Sequence, residues 1–560
     1  MIDIFVDQPP DLRRHQDEAL ISNNDWTGIN AVINKGHGKG KIILPTGTGK
    51  TRIEIETVCA IINRQKKKKL WPGVHVILSP RILLAYQQLA EFTDTITRKG
   101  DGYKDFKWHV VNSGGLNSAQ YEKMLMSLGV DSPDEIDSST DRDTIKINML
   151  EAKKANVPLV IFTTYHSAWN VDKAATEIGI KIESYICDEA QYCVTSGKFQ
   201  DIPDFDCNYK FYFTATEKDT DSPNGLGMNN EQKFGKVLFT ESPRTLIERG
   251  EMSSVAIHLV GTKGQIIDDN DYESKAKVVI DAFEKHRIVL KAHSSSPDSI
   301  GPKMVVVCDK QDSLRGVLGS KILKAYRTEY PKITLCALSS EYGLEINGKH
   351  DPRVNNRNKE KLLKTLMDLK SEAEAIIFHV DMISEGINVP GLTAVMPFRN
   401  LGKIKFLQNL GRGTRLIPED RRRLYSGRIE PIIMGTDNWK KYVKPFCWLI
   451  LPVLSIEYYD MKRRYSDYIC ALRADYGFNS SELIVIDNIV APHEDKPLDD
   501  MAGDKKRKFS YGAGLIKDII HEIEDGEKMA ELLNHTLSFK TLTPDMQIKL
   551  LNDIYENSEK

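Results

Sequence analysis

KIILPTGTGKTRIE, Lys41 to Glu54, joins a β-type apolar run to helix-compatible sequence through Thr46-Gly47-Thr48-Gly49-Lys50-Thr51. Glycines 47 and 49 let successive backbone N–H groups turn toward one point, and the helix that follows adds its N-terminal donors and the positive end of its dipole. Such a loop is suited to phosphate. Lys50 is placed to reach β- and γ-phosphates, and the Thr51 hydroxyl to ligate Mg²⁺. Leu44 stands where the GxxxxGK[ST] pattern has its first glycine, so the strict pattern fails although the strand–loop–helix context holds.

Working outward, short apolar runs alternate with helix-periodic stretches over most of the first 450 residues, which predicts an α/β protein with parallel sheets covered by helices. The first series comprises Lys41 to Leu44, Val74 to Leu78, Trp108 to Val111, Leu159 to Phe162, Tyr185 to Cys187 and Phe211 to Phe213. After a break rich in Asp, Ser, Asn and Gly from Asp219 to Asn230, a second series follows: Val255 to Val260, Met304 to Cys308, Ile333 to Leu338, Ala375 to Val380, Ala394 to Pro397, Ile429 to Met434 and Trp448 to Val453. Two tandem α/β domains, 1–245 and 246–455, are expected, followed by a small, mostly helical accessory domain over 456–560.

Composition narrows the function classes. At about 150 residues per domain, 560 residues predict three to four domains, or fewer large ones. The 77 Lys plus Arg against 79 Asp plus Glu leave a net charge of −2, so any polyanion site must collect its positive charge locally. Asp3 and Asp7 stand where a signal peptide carries positive charge, and no apolar run is long enough to span a membrane. The 8 cysteines form no CxxC pair, and Cys187, Cys193 and Cys207 have no zinc-site spacing. A soluble protein of the cytoplasm, in a bacterial or phage-infected cell, or of another reducing compartment is expected.

Hydrolysis needs more than a phosphate loop. In KIESYICDEAQY, Asp188 and Glu189 emerge directly after an apolar strand, where one carboxylate can hold Mg²⁺ and its neighbour can deprotonate the attacking water. In FLQNLGRGTRL, Gln408, Arg412 and Arg415 fall at i, i+4 and i+7, which predicts all three on one face of a helix. Gly411 and Gly413 would cost that helix about 2 kcal/mol relative to alanine, which points to close backbone approach or an irregular turn. Two arginines aimed across a cleft could stabilise charge growing on a γ-phosphate.

The set PTGTGKT, DEAQ, TAT (Thr214 to Thr216), SEGINVPGL (Ser384 to Leu392) and QNLGRGTR, in this order, resembles the superfamily 2 helicases. LRRHQDEAL (Leu12 to Leu20) resembles their adenine-recognition segment, SPRILLAYQQ (Ser79 to Gln88) their motif Ia, and TTYHS (Thr163 to Ser167) a third segment that contacts nucleic acid. EGINVP with QxxGRGxR is the style of the type III restriction branch, whereas the DEAD, SAT, PTRELA and HRxGRxxR of the DEAD-box RNA helicases are absent. The box here ends in Gln191 rather than the commoner His or Asp.

The resemblance implies two RecA-like domains with ATP and Mg²⁺ in the cleft between them. Gln16 would recognise adenine, and Thr46, Gly47, Thr48, Gly49, Lys50 and Thr51 would hold phosphates, with Thr51 and Asp188 on the metal. Glu189 would act as base, assisted by Lys50, Arg412 and Arg415, while Gln191, Gly386, Asn388 and Gln408 would border the nucleotide. Thr214 and Thr216 would couple nucleotide state to domain movement. Pro80, Arg81, Thr164 and Ser384 would touch a sugar–phosphate backbone, a mode of contact that positions a strand without reading its sequence. The implied activity is that of an ATP-dependent DNA helicase or duplex translocase. The alternatives are a motor subunit of a larger restriction, defence or repair complex, with a protein partner on the C-terminal domain, and an RNA helicase. Two basic runs, Arg64 to Lys69 and Lys505 to Lys508, are candidates for added nucleic-acid affinity. Asp487 followed by Glu494-Asp495-Lys496 has the spacing of a nuclease core, but Pro492 and Pro497 crowd the second strand, and the reading favours an accessory domain.

Overall fold

The computed structural model describes residues 12–487 apart from 22–27, 100–105, 112–139, 262–269, 354–360, 381–388, 454–457 and some isolated positions. Among the described residues the strands form two sheets. The first contains β1 (Gly38–Ile43), β2 (Val74–Ser79), β3 (Lys107–Val111), β4 (Leu159–Thr164), β5 (Ile182–Cys187), β6 (Cys207–Thr214) and β7 (Lys236–Thr240), in the order β3-β4-β2-β5-β6-β1-β7. Every pairing in it is parallel. The strands β2, β4 and β5 are buried along their whole length, as a sheet covered by helices on both faces requires.

Parallel strands end at one edge, and the strand order decides which loops meet there. The adjacent strands β5, β6 and β1 deliver the Asp188–Glu189 pair, Thr214–Thr216 and the glycine loop side by side. The neighbouring β2 and β4 deliver Pro80–Arg81 and Thr164.

The second sheet contains β8 (Ser254–Gly261), β9 (Lys303–Val307), β10 (Thr334–Ser339), β11 (Gly343–Ile346), β12 (Lys349–Asp351), β13 (Ala375–His379), β14 (Ala394–Pro397), β15 (Phe446–Val453) and β16 (Ile484–Asp487), in the order β12-β11-β10-β13-β9-β14-β15-β8-β16. It is parallel except for the antiparallel β10-β11-β12 edge.

Two sequence expectations fail here for identifiable reasons. Ile429 to Met434 is not a strand: Pro431 lacks an N–H, and Asn438 holds the segment as a loop by donating to the Pro431 carbonyl at 2.7 Å and accepting from the Ile433 N–H at 3.1 Å. Ile429 and Ile432 still bury their side chains in the core. The described residues beyond 455 are also not separate from the second sheet. The Tyr458–Tyr476 helix packs Tyr465, Tyr468, Ile469 and Leu472 into that core, and β16 pairs in parallel with β8. The second body therefore runs on to Asp487, beyond the expected boundary at 455. Asp487 lies on this edge strand, opposite Leu259, while Glu494, Asp495, Lys496 and the Lys505 to Lys508 run lie outside the described residues.

Candidate ATP site between the two sheets

The glycine loop adopts the backbone its composition predicts. Gly47 and Gly49 have φ of +89° and +82°, and Gly49 caps the 18-residue helix Lys50–Lys67. Leu44 needs no such freedom: its N–H extends the β1–β6 ladder by donating to the Thr214 carbonyl at 2.9 Å, and its side chain is fully buried. That explains the departure from the strict pattern. Lys50 is buried with its ammonium on the Leu44 carbonyl at 3.1 Å, the Thr48 hydroxyl donates to the Pro45 carbonyl at 2.8 Å, and Thr51 follows in the first helical turn.

Gln16 sits behind this loop. Its amide nitrogen donates to the carbonyls of Thr48 (3.3 Å) and Gly49 (3.1 Å), and its oxygen accepts the Arg13 N–H at 3.0 Å. A Cβ on Gly49 would lie 2.5 Å from that nitrogen, so the glycine is needed for contact as well as for conformation. The structure thus puts Gln16 against the loop as a brace, with both donor hydrogens engaged.

At the end of β5 the carboxylates form a buried group. Asp188 accepts the Glu189 N–H on Oδ1 at 2.9 Å and the Gln88 amide on Oδ2 at 2.9 Å. Burial, then the charge of Glu189, pushes the Asp188 carboxyl up to about 7 against the opposing pull of Lys50. Burial likewise holds Glu54 well above the usual carboxylate range, with the Asp188 charge adding to it. Glu189 has φ of +49°, an uncommon conformation for a non-glycine residue and one that recurs at functional sites. Its Oε2 accepts from Gln191 at 2.9 Å, Gln191 Oε1 accepts the Thr214 hydroxyl at 2.7 Å, and that hydroxyl oxygen accepts the Thr216 N–H at 3.1 Å. The sequence-selected Glu189, Gln191, Thr214 and Thr216 are therefore one hydrogen-bonded chain.

The second body approaches through the Lys403–Gly413 helix, on which Gln408 and Arg412 are buried. A Cβ on Gly411 would come within 2.7 Å of the Thr46 Cβ, and one on Gly47 within 2.8 Å of the Gly411 carbonyl and 3.0 Å of Arg415 Cγ. Gly413 has the same reason on its other side, where a Cβ would run into Cys447 Sγ. The two glycines are thus explained by close approach, as their cost predicts.

Arg415 is placed differently from the expectation. The helix stops at Gly413, so Arg415 lies beyond it and does not share its face. It is fixed there by Lys444, which the sequence reading missed. The buried Lys444 ammonium donates to the carbonyls of Gly413 (2.5 Å) and Arg415 (2.8 Å) and to the Ser253 hydroxyl (3.4 Å). The Ser253 N–H donates to the Thr414 carbonyl at 2.7 Å, and Asp420 accepts the N–H groups of Val443 and Lys444, each at 2.8 Å. Burial pushes Lys444 down to about 8 and Arg415 down to about 10, the latter also because Arg412 is close, with Glu91 of the Ile82–Lys99 helix opposing. No local spacing signals Lys444, because its partners are distant in sequence.

Pro80, Arg81 and Thr164 lie at the same sheet edge, with the Thr164 hydroxyl donating to Ser167 Oγ at 3.4 Å. Ser384, Gly386 and Asn388 lie outside the described residues. The Arg64 to Lys69 run is at the far end of the Lys50–Lys67 helix and begins about 21 Å from the glycine loop at 1.5 Å per residue. Among the described residues no group of three or more His, Cys, Asp or Glu forms a metal cage. A nucleotide with its cation fits this donor set: Thr46 Oγ1 and Thr216 Oγ1 are buried without hydrogen-bond partners, Lys50 and Glu189 are close enough to Asp188 to act on its charge, and Thr51 stands in the first helical turn after the glycine loop.

Residues 10–219 match the family model described as Type III restriction enzyme, res subunit. That part of the chain, which carries β1 to β6 of the first sheet, is thus similar to the res subunit of Type III restriction enzymes. The chain is 22% identical over 452 residues to the Type I restriction enzyme EcoKI endonuclease subunit of Escherichia coli (strain K12), covering 74% of the chain and 34% of that subunit. Its fold is that of the Type ISP restriction-modification enzyme LlaBIII, solved bound to DNA, at a TM-score of 0.58 and 16% identity over 92% of the chain and 33% of that enzyme. It is similar also to a nuclease-deletion mutant of the Type ISP enzyme LlaGI, solved with a DNA substrate mimic, at a TM-score of 0.52 and 16% identity over 96% of the chain and 35% of that protein. The chain spans about a third of the length of these relatives.

Proposed function

We propose that the chain is the motor of a DNA translocase or helicase, hydrolysing ATP with Mg²⁺ in the cleft between the two sheets. The observation that carries this reading is the seating of Gly411 and Arg415 on Gly47 of the glycine loop, which brings groups of both bodies to one phosphate position. The glycine-loop N–H groups and Lys50 bind the phosphates, and Thr51 with Asp188 would hold the cation, whose positive charge supplies further neutralisation of phosphate oxygens. Glu189 accepts the proton of the attacking water at its carboxylate while Gln191 fixes its orientation. Arg412 and Arg415 stabilise charge that grows on the phosphate, an effect worth about 10³ to 10⁵ in rate for such arginines. Ordering of Arg415 against Gly47 makes closure of the cleft and assembly of the site one event.

DNA is favoured over RNA because LlaBIII and LlaGI, both similar in fold at TM-scores above 0.5, were solved with DNA or a DNA mimic. Assembly into a larger restriction or defence enzyme is a second reading, supported by the third of its relatives' length that the chain spans. Eight free cysteines suit a reducing cell interior, and among the described residues no helix is long and apolar enough to cross a membrane. The domain division that fits this reading is a first motor domain to about 245 and a second that includes β16. ATP turnover measured with single-stranded, duplex and forked DNA and with RNA tests the reading. Stimulation by DNA and loss of turnover in Lys50→Ala support it, while turnover indifferent to every nucleic acid overturns an autonomous motor.

A further inference from the structure

The two segments expected to touch a strand are tied to the same carboxylate. Ser79, immediately before Pro80, donates its hydroxyl to Gln88 Oε1, and Gln88 Nε2 donates to Asp188 Oδ2 at 2.9 Å and to Glu54 Oε2 at 3.3 Å. Tyr165, immediately after Thr164, donates its phenol to the Asp188 carbonyl at 2.7 Å, and its own N–H goes to the Ser79 carbonyl at 3.2 Å. The four residues Ser79, Gln88, Tyr165 and Asp188 thereby close a ring, all of them buried. Water cannot substitute readily for a bond lost inside it, so a displacement at one corner is felt at the next. From Asp188 the chain of bonds runs on through the Glu189 N–H to Gln191 and Thr214.

Gln88 is polar in both directions: its oxygen accepts from the strand-contact side and its nitrogen donates to the carboxylate side. A surface helix such as Ile82–Lys99 has no folding need for a buried amide between two carboxylates, and an aliphatic residue would pack there without polar partners. We propose that Gln88 and Tyr165 are positioning residues that couple strand binding at Pro80–Arg81 and Thr164 to the orientation of Asp188, and hence to nucleotide binding. Neither touches strand or nucleotide itself. The inference rests on the motor reading above and adds the route by which DNA reaches the ATP site.

Coupling between two ligands is reciprocal, so the test reads binding. The affinity of the full chain for a fluorescent duplex DNA is measured with and without a non-hydrolysable ATP analogue plus Mg²⁺, for the native sequence, Gln88→Leu and Tyr165→Phe. The native chain is expected to change its DNA affinity about 5-fold or more on binding the analogue. Each variant is expected to bring that ratio to within about 2-fold of unity, while nucleotide-free DNA affinity is retained. Tyr165→Phe removes one hydroxyl only and remains informative if Gln88→Leu fails to fold. A purely structural ring would lower the melting temperature and leave the ratio intact, and that result overturns the inference while the motor reading stands. A native chain whose ATP turnover ignores DNA overturns both.

Discussion

The two walls of the cleft are held by different means. On the first wall, side chains hold side chains but for one backbone link, the Glu189 N–H on Asp188: Gln88, Asp188, Glu189, Gln191 and Thr214 form a continuous chain of hydrogen bonds. On the second wall, one buried ammonium holds backbone, with Lys444 gathering the Gly413 and Arg415 carbonyls at the end of a helix. The first arrangement fixes the orientation of the groups that, in the proposed motor, would exchange protons or hold a cation. The second fixes only where a turn begins and leaves the guanidinium to be placed by the first wall, against Gly47 and facing Glu91. A wall assembled by side chains is preorganised, and one anchored through its backbone can dock and leave as a unit.

The largest expected effect is on the first wall. Glu189→Gln removes the proton acceptor while keeping a partner for Gln191, and single-turnover rapid quench should find ATP cleavage down by about 10² to 10⁴ with nucleotide affinity near normal. Comparable cleavage in that variant would mean that another group takes the proton. Next comes the anchor of the second wall. Lys444→Met leaves two carbonyls without their donor, and turnover should fall by about 10²-fold through misplaced arginines, whereas Lys444→Arg should recover part of it. Equal rates in Met and Arg variants would break the contrast between the walls.

Gly411→Ala probes the contact itself. The added Cβ would stand 2.7 Å from the Thr46 Cβ, so the walls must separate slightly. Steady-state kinetics should find kcat lowered roughly 10-fold, about 1.4 kcal/mol, with the melting temperature little changed. The smallest effect is one of stability. The folded state holds the Asp188 carboxyl near 7 against 3.8 ordinarily, so it keeps a proton that the unfolded chain releases. The resulting stability loss is absent at pH 4, grows as pH rises toward 7 and persists above it. Asp188→Asn should therefore melt at higher temperature than the native chain at pH 8 and near the same temperature at pH 4, by about 2 to 4 °C for each kcal/mol relieved. A gap of the same size at both pH values would remove the burial argument.

Much of the first wall was legible because its motifs end strands of one parallel sheet, and strand order brings their loops together whatever their separation in sequence. The close approach at Gly411 and Gly413 was legible too, since glycine in a helix is costly without a reason. Arg415 was misread as helical because periodicity carries no sign of where Lys444 halts the helix. Ile429 to Met434 mimicked a strand because its isoleucines are indeed buried, although Pro431 denies it a ladder. Gln88 and Lys444 escaped notice for a common reason: their partners Asp188 and Gly413 are far along the chain, and only the fold brings them within hydrogen-bond reach. The edge strand β16 lay beyond the last motif, where pattern gave no cause to extend the sheet.

The claim that both walls form one ATP site meets its most direct test in Arg415→Ala, with DNA-stimulated ATP turnover and nucleotide affinity measured on the same preparation. Turnover reduced by about 10³-fold or more, with nucleotide affinity within about 10-fold of native, is the predicted result. Stimulated turnover at the native rate would contradict it, and the second wall would then have no part in the chemistry.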